Sequence, residues 1–264
     1  MVENEKKSFL DRHLKMVTGL RIGLMSTGKV LSWAAFFCFE FIAMALIQSS
    51  VFMSGRARLI ALVAGLLLSV GFIRLGLQAM HQKRQVIRPF ANPIARVKAI
   101  KWPTWIEIGQ IIGVYVIAMA VIIIWNTAQN VFFEKWASST TENQAAIDQL
   151  MNAGGWYSNV VLSLVIVLLG PILEELLFRG LFFRYFKWEK APYVTVLLSG
   201  LFFGLYHLGS YTWVSLLDLP PYLILGVALA YVYQKTDKLS SSMLLHIVHN
   251  GWVQAASLWM IVYH

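Results

Sequence analysis

Runs of about 20 apolar, nearly uncharged residues follow one another along this chain, and they leave few folds open. A helix needs about 20 mostly apolar residues to cross the hydrocarbon core of a bilayer. Backbone N–H and C=O groups find no water there, so such runs become spanning helices. Read in order, they lie at about 30–53, 59–80, 105–125, from about 159 onward, 192–208, 213–234 and 241–262. The expected fold class is therefore all-α: a polytopic transmembrane helix bundle of about seven spans (range six to eight). Residues 1–264 form a single integral membrane domain, without internal repeats or low-complexity segments.

Composition agrees. Hydrophobic residues make up 58% of the 264 residues and charged residues 13%, with a mean hydropathy of +0.63. A soluble domain carries about 25% charge. The net charge of +9 is not a nucleic-acid signature, because no nucleic-acid-binding motif accompanies it. The basic residues lie mainly beside the spans, as the positive-inside rule describes. Residues 81–103 hold Lys83, Arg84, Arg88, Arg96, Lys98 and Lys101 with no acid, and Pro89, Pro93 and Pro103 break any continuous helix. This reads as a cytosolic loop able to attract anionic headgroups. Arg184, Lys187 and Lys190 mark a second inside loop, and Lys235 and Lys238 a third. Alternation then puts the N-terminus in the cytoplasm, with Arg56 and Arg58 against the rule. The mixed-charge stretch 126–158, with Glu134, Lys135, Glu142 and Asp148, is expected to be a long extracytoplasmic loop. Phe9, Leu10, Leu14 and Val17 in the basic stretch 1–29 suit either a short interfacial helix or a cytosolic tail. The first apolar run starts near Val30, too deep for a secretory signal. Cys38 stands alone, which excludes an intramolecular disulfide and a cysteine zinc site; its apolar surroundings read as a small buried hydrophobe.

Three stretches carry chemistry. The first is Pro171-Ile-Leu-Glu174-Glu175-Leu-Leu-Phe178-Arg179-Gly180. A charge at the centre of a spanning helix costs roughly 2.5–3.5 kcal/mol, so three together require partners, or a place near the interface as a salt-bridge cluster. Glu175 and Arg179 are four apart and share a face. Glu174 points about 100° away from Glu175. The expected division is a structural Glu175–Arg179 pair and a reactive Glu174, suited to general-base work.

The second stretch is Ser199-Gly200-Leu-Phe-Phe203-Gly204-Leu-Tyr-His207, with Gly200, Gly204 and His207 on one helical face. Small residues there admit a neighbouring helix closely. The third is Leu245-His246-Ile-Val-His249-Asn250-Gly251, with His246 and Asn250 on one face and His249 able to join them. At 1.5 Å per residue, Glu174 and His207 lie about 20 Å from the inside end of their helices and His246 about 9 Å. Tilt and side-chain reach must close that difference for a shared site. Glu40, a lone acid in the first span, faces either the bundle or a water path.

The ordered set Glu174-Glu175-x-x-x-Arg179, Phe203-x-x-x-His207 and His246-x-x-x-Asn250 resembles the CAAX-protease and bacteriocin-processing family of intramembrane proteases, which includes type II CAAX prenyl endopeptidases and homologues linked to bacteriocin immunity. The resemblance covers about residues 157–255, the catalytic core of that family. It implies that Glu174 with His207 activates the attacking water and that His246 and Asn250 hold the oxyanion, with Glu175 and Arg179 in support. It also implies a glutamate-type mechanism without a metal. Zinc on Glu174, His207 and His246 is the alternative, although no His-Glu-x-x-His helix is present. No Gly-x-Ser-x-Gly elbow appears, and Cys38 has no evident base partner, so covalent catalysis is not expected.

The function expected is an intramembrane endopeptidase acting on a membrane-associated peptide or protein, prenylated or bacteriocin-related, in the lipid bilayer of a bacterial cell membrane. The alternative is a non-catalytic immunity or scaffold protein that keeps the fold. A proton-coupled transporter is disfavoured by the lack of paired broken helices. Oligomeric state leaves no trace in the sequence.

Overall fold

The computed structural model describes the backbone of residues 2–81, 100–136 and 140–263, and the side chains of those residues except 2–25, 153–154 and 261–263. Most of the expected basic loop at 81–103 lies outside the described residues. The described chain is helical: α1 (Val2–Ser50), α2 (Gly55–His81), α3 (Trp105–Phe132), α4 (Glu142–Leu164), α5 (Gly170–Glu175), α6 (Phe182–Phe186), α7 (Pro192–Tyr206), α8 (Leu219–Thr236) and α9 (Leu239–Tyr263). A π-helical segment, Val165–Leu169, joins α4 to α5, and a second, Leu176–Leu181, joins α5 to α6.

Each expected span is matched by a helix. Five described segments are long and apolar enough to cross a membrane: Ser26–Ser50, Gly55–His81, Trp105–Phe132, Gly155–Phe186 and Ser215–Thr236. The apolar helix α7 is shorter, and α9 interrupts its apolar character with Ser240, Ser241, Ser242, His246, His249 and Asn250. The outer faces carry Leu31, Phe41, Ile60, Leu67, Ile106 and Ile117, all exposed. A belt of that kind belongs against lipid tails, and the protein is an integral membrane protein.

Periodicity explains which faces turn inward. In α1 the buried residues Phe36, Glu40, Ala43, Met44 and Ile47 recur at three- and four-residue steps. Cys38 lies off that stripe and is exposed, which corrects the expectation of a buried thiol. The N-terminal stretch is also revised, since its backbone is the beginning of one helix running to Ser50.

The expected long loop at 126–158 is likewise replaced by helix at both ends. α3 runs on to Phe132, and α4 begins at Glu142 behind the N-cap Thr141, which accepts a hydrogen bond from the Gln144 N–H at 3.3 Å. Mixed charge signals contact with water, not the absence of helix. Gly155, with φ +66°, then breaks the helical course and starts the span that ends at Phe186.

That span is the most deeply buried of the five. α1 and α2 pack on one side of it, and α7, α8 and α9 on others. Contacts at one end tie the elements together: Arg184 Nε donates to the Ala79 carbonyl (3.4 Å), Lys238 Nζ meets Glu107 (2.6 Å), and Ser240 donates to the Lys101 carbonyl. At the other end the Arg58 guanidinium lies over the Tyr157 ring.

Candidate active site

α7 and α8 come together with almost no side chain between them. A Cβ on Gly226 would stand 2.8 Å from the Gly200 carbonyl oxygen, and one on Gly200 would stand 2.7 Å from the Val227 nitrogen. The small-residue face expected of α7 therefore meets α8. At the end of α7 this approach packs His207 between aromatic rings, with Tyr222 of α8 stacked on it (ring centroids 5.1 Å apart) and Phe203 at 4.3 Å. His207 Nδ1 lies 2.9 Å from the Phe203 carbonyl. A carbonyl only accepts, so Nδ1 carries a proton and Nε2 is the atom turned to the site.

Glu174 and Glu175 occupy the end of α5, the short α-helical stretch between the two π segments. A π turn shifts hydrogen bonding from i→i+4 to i→i+5 and recurs at functional sites. Here carbonyls of the second π segment also accept from other helices. Trp33 Nε1 of α1 donates to the Leu177 carbonyl (3.1 Å), and Ser199 Oγ of α7 donates to the Phe178 carbonyl (2.7 Å). In the first π segment the Gly170 N–H bonds to the Val165 carbonyl, five residues back. Pro171 stands five residues after Ile166 and has no N–H to give it. Asn250 Nδ2 of α9 supplies the missing donor at 2.9 Å.

The carboxylates divide as their helical angles predict. Glu175 is fully buried; its Oε1 lies 2.9 Å from Arg179 Nη1 and 2.9 Å from His246 Nδ1. Arg179 also donates from Nη2 to the Gly226 carbonyl (3.0 Å), and its guanidinium lies over the Phe203 ring. One carboxylate thus offsets a buried cation and orients a histidine, so His246 presents Nε2 to the site as His207 does. Glu174 lacks such a partner. Its Oε2 is 3.5 Å from His207 Nε2 and 3.8 Å from His246 Nε2, and it is buried without a hydrogen bond.

Two cavities meet here. One, of about 450 Å³, is bordered by Glu174, Tyr206 and His207 with Phe37, Phe41 and Met44 of α1. The other, of about 300 Å³, is bordered by His207, His246, His249 and Asn250 with Tyr222 and Thr141. His207, Ile166 and Asn143 border both. The structure therefore gathers Glu174, His207 and His246 directly, places Asn250 one helical turn beyond His246, and sets Glu175 and Arg179 behind them. His249 faces the second cavity, 3.4 Å from the Tyr115 hydroxyl. Tyr222 and Tyr206 border the cavities without any sequence signal beyond the neighbourhood of His207. Glu40, flagged by its cost in lipid, is fully buried and accepts a hydrogen bond from Tyr206. Among the described residues no three of His, Cys, Asp and Glu are arranged to hold a metal ion.

Residues 156–252 match the family described as type II CAAX prenyl endopeptidase Rce1-like. The resemblance read from the three motifs is borne out over that stretch. Two Lactococcus lactis subsp. lactis (strain IL1403) proteins are similar. UPF0177 protein YajF is 31% identical over 124 residues, 46% of this chain and 56% of that protein. UPF0177 protein YaiF is 27% identical over 156 residues, 58% of this chain and 64% of that protein. The chain thus spans under two thirds of either relative's length. No solved structure matches the chain.

Proposed function

We propose that this protein is an intramembrane endopeptidase whose general base is Glu174. The observation that carries the reading is the position of Glu174 Oε2, buried without a hydrogen bond and within 3.8 Å of two imidazole Nε2 atoms. Glu174 and His207 together orient a water against the scissile carbonyl. Glu174 takes a proton as the water oxygen bonds to the carbonyl carbon. As an imidazolium, His246 donates Nδ1–H to Glu175 and Nε2–H to the oxyanion, with Asn250 contributing from the next turn; preorganised donors of this kind supply a large share of catalysis in acyl transfer. When the tetrahedral intermediate collapses, the C–N bond breaks and the proton held by Glu174 passes to the departing amine.

The substrate we propose is a membrane-associated peptide, prenylated or bacteriocin-related, that reaches the site within the bilayer of a bacterial cell membrane. The mechanism we propose is glutamate-type, since each step above is carried by Glu174, His207, His246 and Asn250. The test compares peptide termini in cells carrying the wild-type protein or Glu174→Gln, at matched membrane levels, with and without a chelator. Termini that depend on Glu174 and persist in chelator are the expected result. Identical termini at matched levels would overturn the protease reading and favour an immunity or scaffold protein.

A further inference from the structure

α1 lies outside the stretch that matches the endopeptidase family, yet it sends a carboxylate to the site. Glu40 is fully buried on the inward stripe of α1. A charge or an unsatisfied acid there is expensive, and among the described residues no cationic side chain forms an ion pair with it. Its partner is Tyr206, whose hydroxyl donates to it at 3.2 Å from Oε1 and 3.1 Å from Oε2.

Tyr206 is the last residue of α7, directly before His207. Its ring meets His207 edge-on (centroids 5.3 Å apart), packs against Phe37 of α1 and Phe178 of the second π segment, and borders the Glu174 cavity. A chain of contacts therefore runs from Glu40 through Tyr206 to the imidazole opposite Glu174. Helix α7 ends at this point: the Phe203 carbonyl holds one edge of the His207 ring, and the Tyr206 hydroxyl beside it is held from α1.

We propose that Glu40 is a positioning residue of the candidate active site: through Tyr206 it fixes the His207 ring and the wall of the Glu174 cavity, making the first span part of that site. The inference rests on the endopeptidase reading for its effect on turnover, but not for its effect on His207. The Tyr206 hydroxyl needs only an acceptor at position 40, so an amide there serves, whereas an apolar side chain releases the tyrosine.

The test uses the full-length protein in lipid nanodiscs with ¹⁵N-labelled histidine, the His207 ring signals being assigned by their loss in His207→Gln. Glu40→Leu and Tyr206→Phe shift those signals, and Glu40→Gln leaves them in place. In cells at matched membrane levels, the first two variants lower the Glu174-dependent termini by up to about 10²-fold, the scale of a 1 Å misplacement of a catalytic group. The double variant falls no further than either single one, and Glu40→Gln restores the yield. His207 signals unchanged in both Glu40→Leu and Tyr206→Phe would overturn the inference. Should Glu174→Gln itself leave cellular termini unaltered, the endopeptidase reading fails while the ring signals still decide the role of Glu40. Tyr206→Phe removes only the hydroxyl that meets Glu40, so it reports even if Glu40→Leu fails to insert.

Discussion

Asn250 Nδ2 donates to the Ile166 carbonyl at 2.9 Å, joining α9 to the π segment that precedes the two carboxylates. Proline at position 171 and the shifted register of the turn leave that carbonyl without its backbone donor, and the asparagine amide answers it. Asn250→Asp removes the donor and sets an anion against a carbonyl. The variant is expected to melt at lower temperature in detergent, by an amount equivalent to about 1–3 kcal/mol, the cost of a lost partner in a buried site. Asn250→Gln, whose amide lies one methylene further out, should recover only part of it. Thermal melts of the purified variants measure both.

Glu174→Gln keeps the size of the side chain and removes the base. Loss of a positioned general base costs about 10²–10⁴-fold in rate, so termini produced by the wild-type protein should fall below detection. Membrane level and melting temperature should hold within a few degrees, because Glu174 Oε2 makes no hydrogen bond in the structure. A variant with equal stability and full product formation would remove Glu174 from the mechanism.

Glu175 should behave in the opposite way. It meets both Arg179 and His246, and all three side chains are buried. Removing one partner of a buried ion pair costs about 3–5 kcal/mol. Glu175→Ala is therefore expected to lower the amount of inserted protein, as quantified by blot of washed membranes. Glu175→Gln keeps an acceptor for His246 and should insert better than the alanine variant.

Gly226→Ala tests the close passage of α7 and α8. The new methyl would stand 2.8 Å from the Gly200 carbonyl oxygen and 2.9 Å from the Phe203 ring. Overpacking of this kind costs about 1–3 kcal/mol. The helices must part, and His207, stacked between Phe203 and Tyr222, must follow. Lower thermal stability together with altered His207 ring signals is the expected pair of results.

Hydropathy located the helices because length and apolarity are read directly from residue order. The Glu175–Arg179 pair and the separate aim of Glu174 followed from helical angles alone. The meeting of His246 with Glu174 did not, because a uniform rise of 1.5 Å per residue treats helix ends as level. α9 instead starts at a turn tied to α3 by Lys238–Glu107, and the Glu174 span contains two π segments. No residue pattern announced those segments, whose carbonyls meet Trp33, Ser199 and Asn250 of other helices. The helix at Glu142 was hidden by mixed charge, and Cys38 by the assumption that an apolar run is buried on every side. Tyr206 and Tyr222 enter the site only through partners distant in sequence, Glu40 for Tyr206 and Thr141 and His207 for Tyr222.

The two π segments set how the candidate site responds to a change in residue count. Each holds one residue more than an α turn over the same arc, so deleting a single residue from either would let it relax to an α turn with the side chains beyond it still in phase. The regular α-helical turns of α4 and α5 have no such slack: one residue added or removed there would swing everything beyond it by about 100°. Substitution can vary freely along the lipid-facing side of this span, whereas a change in length outside the π segments, even at an apolar position remote from any charge, would take the carboxylates out of phase with their histidines.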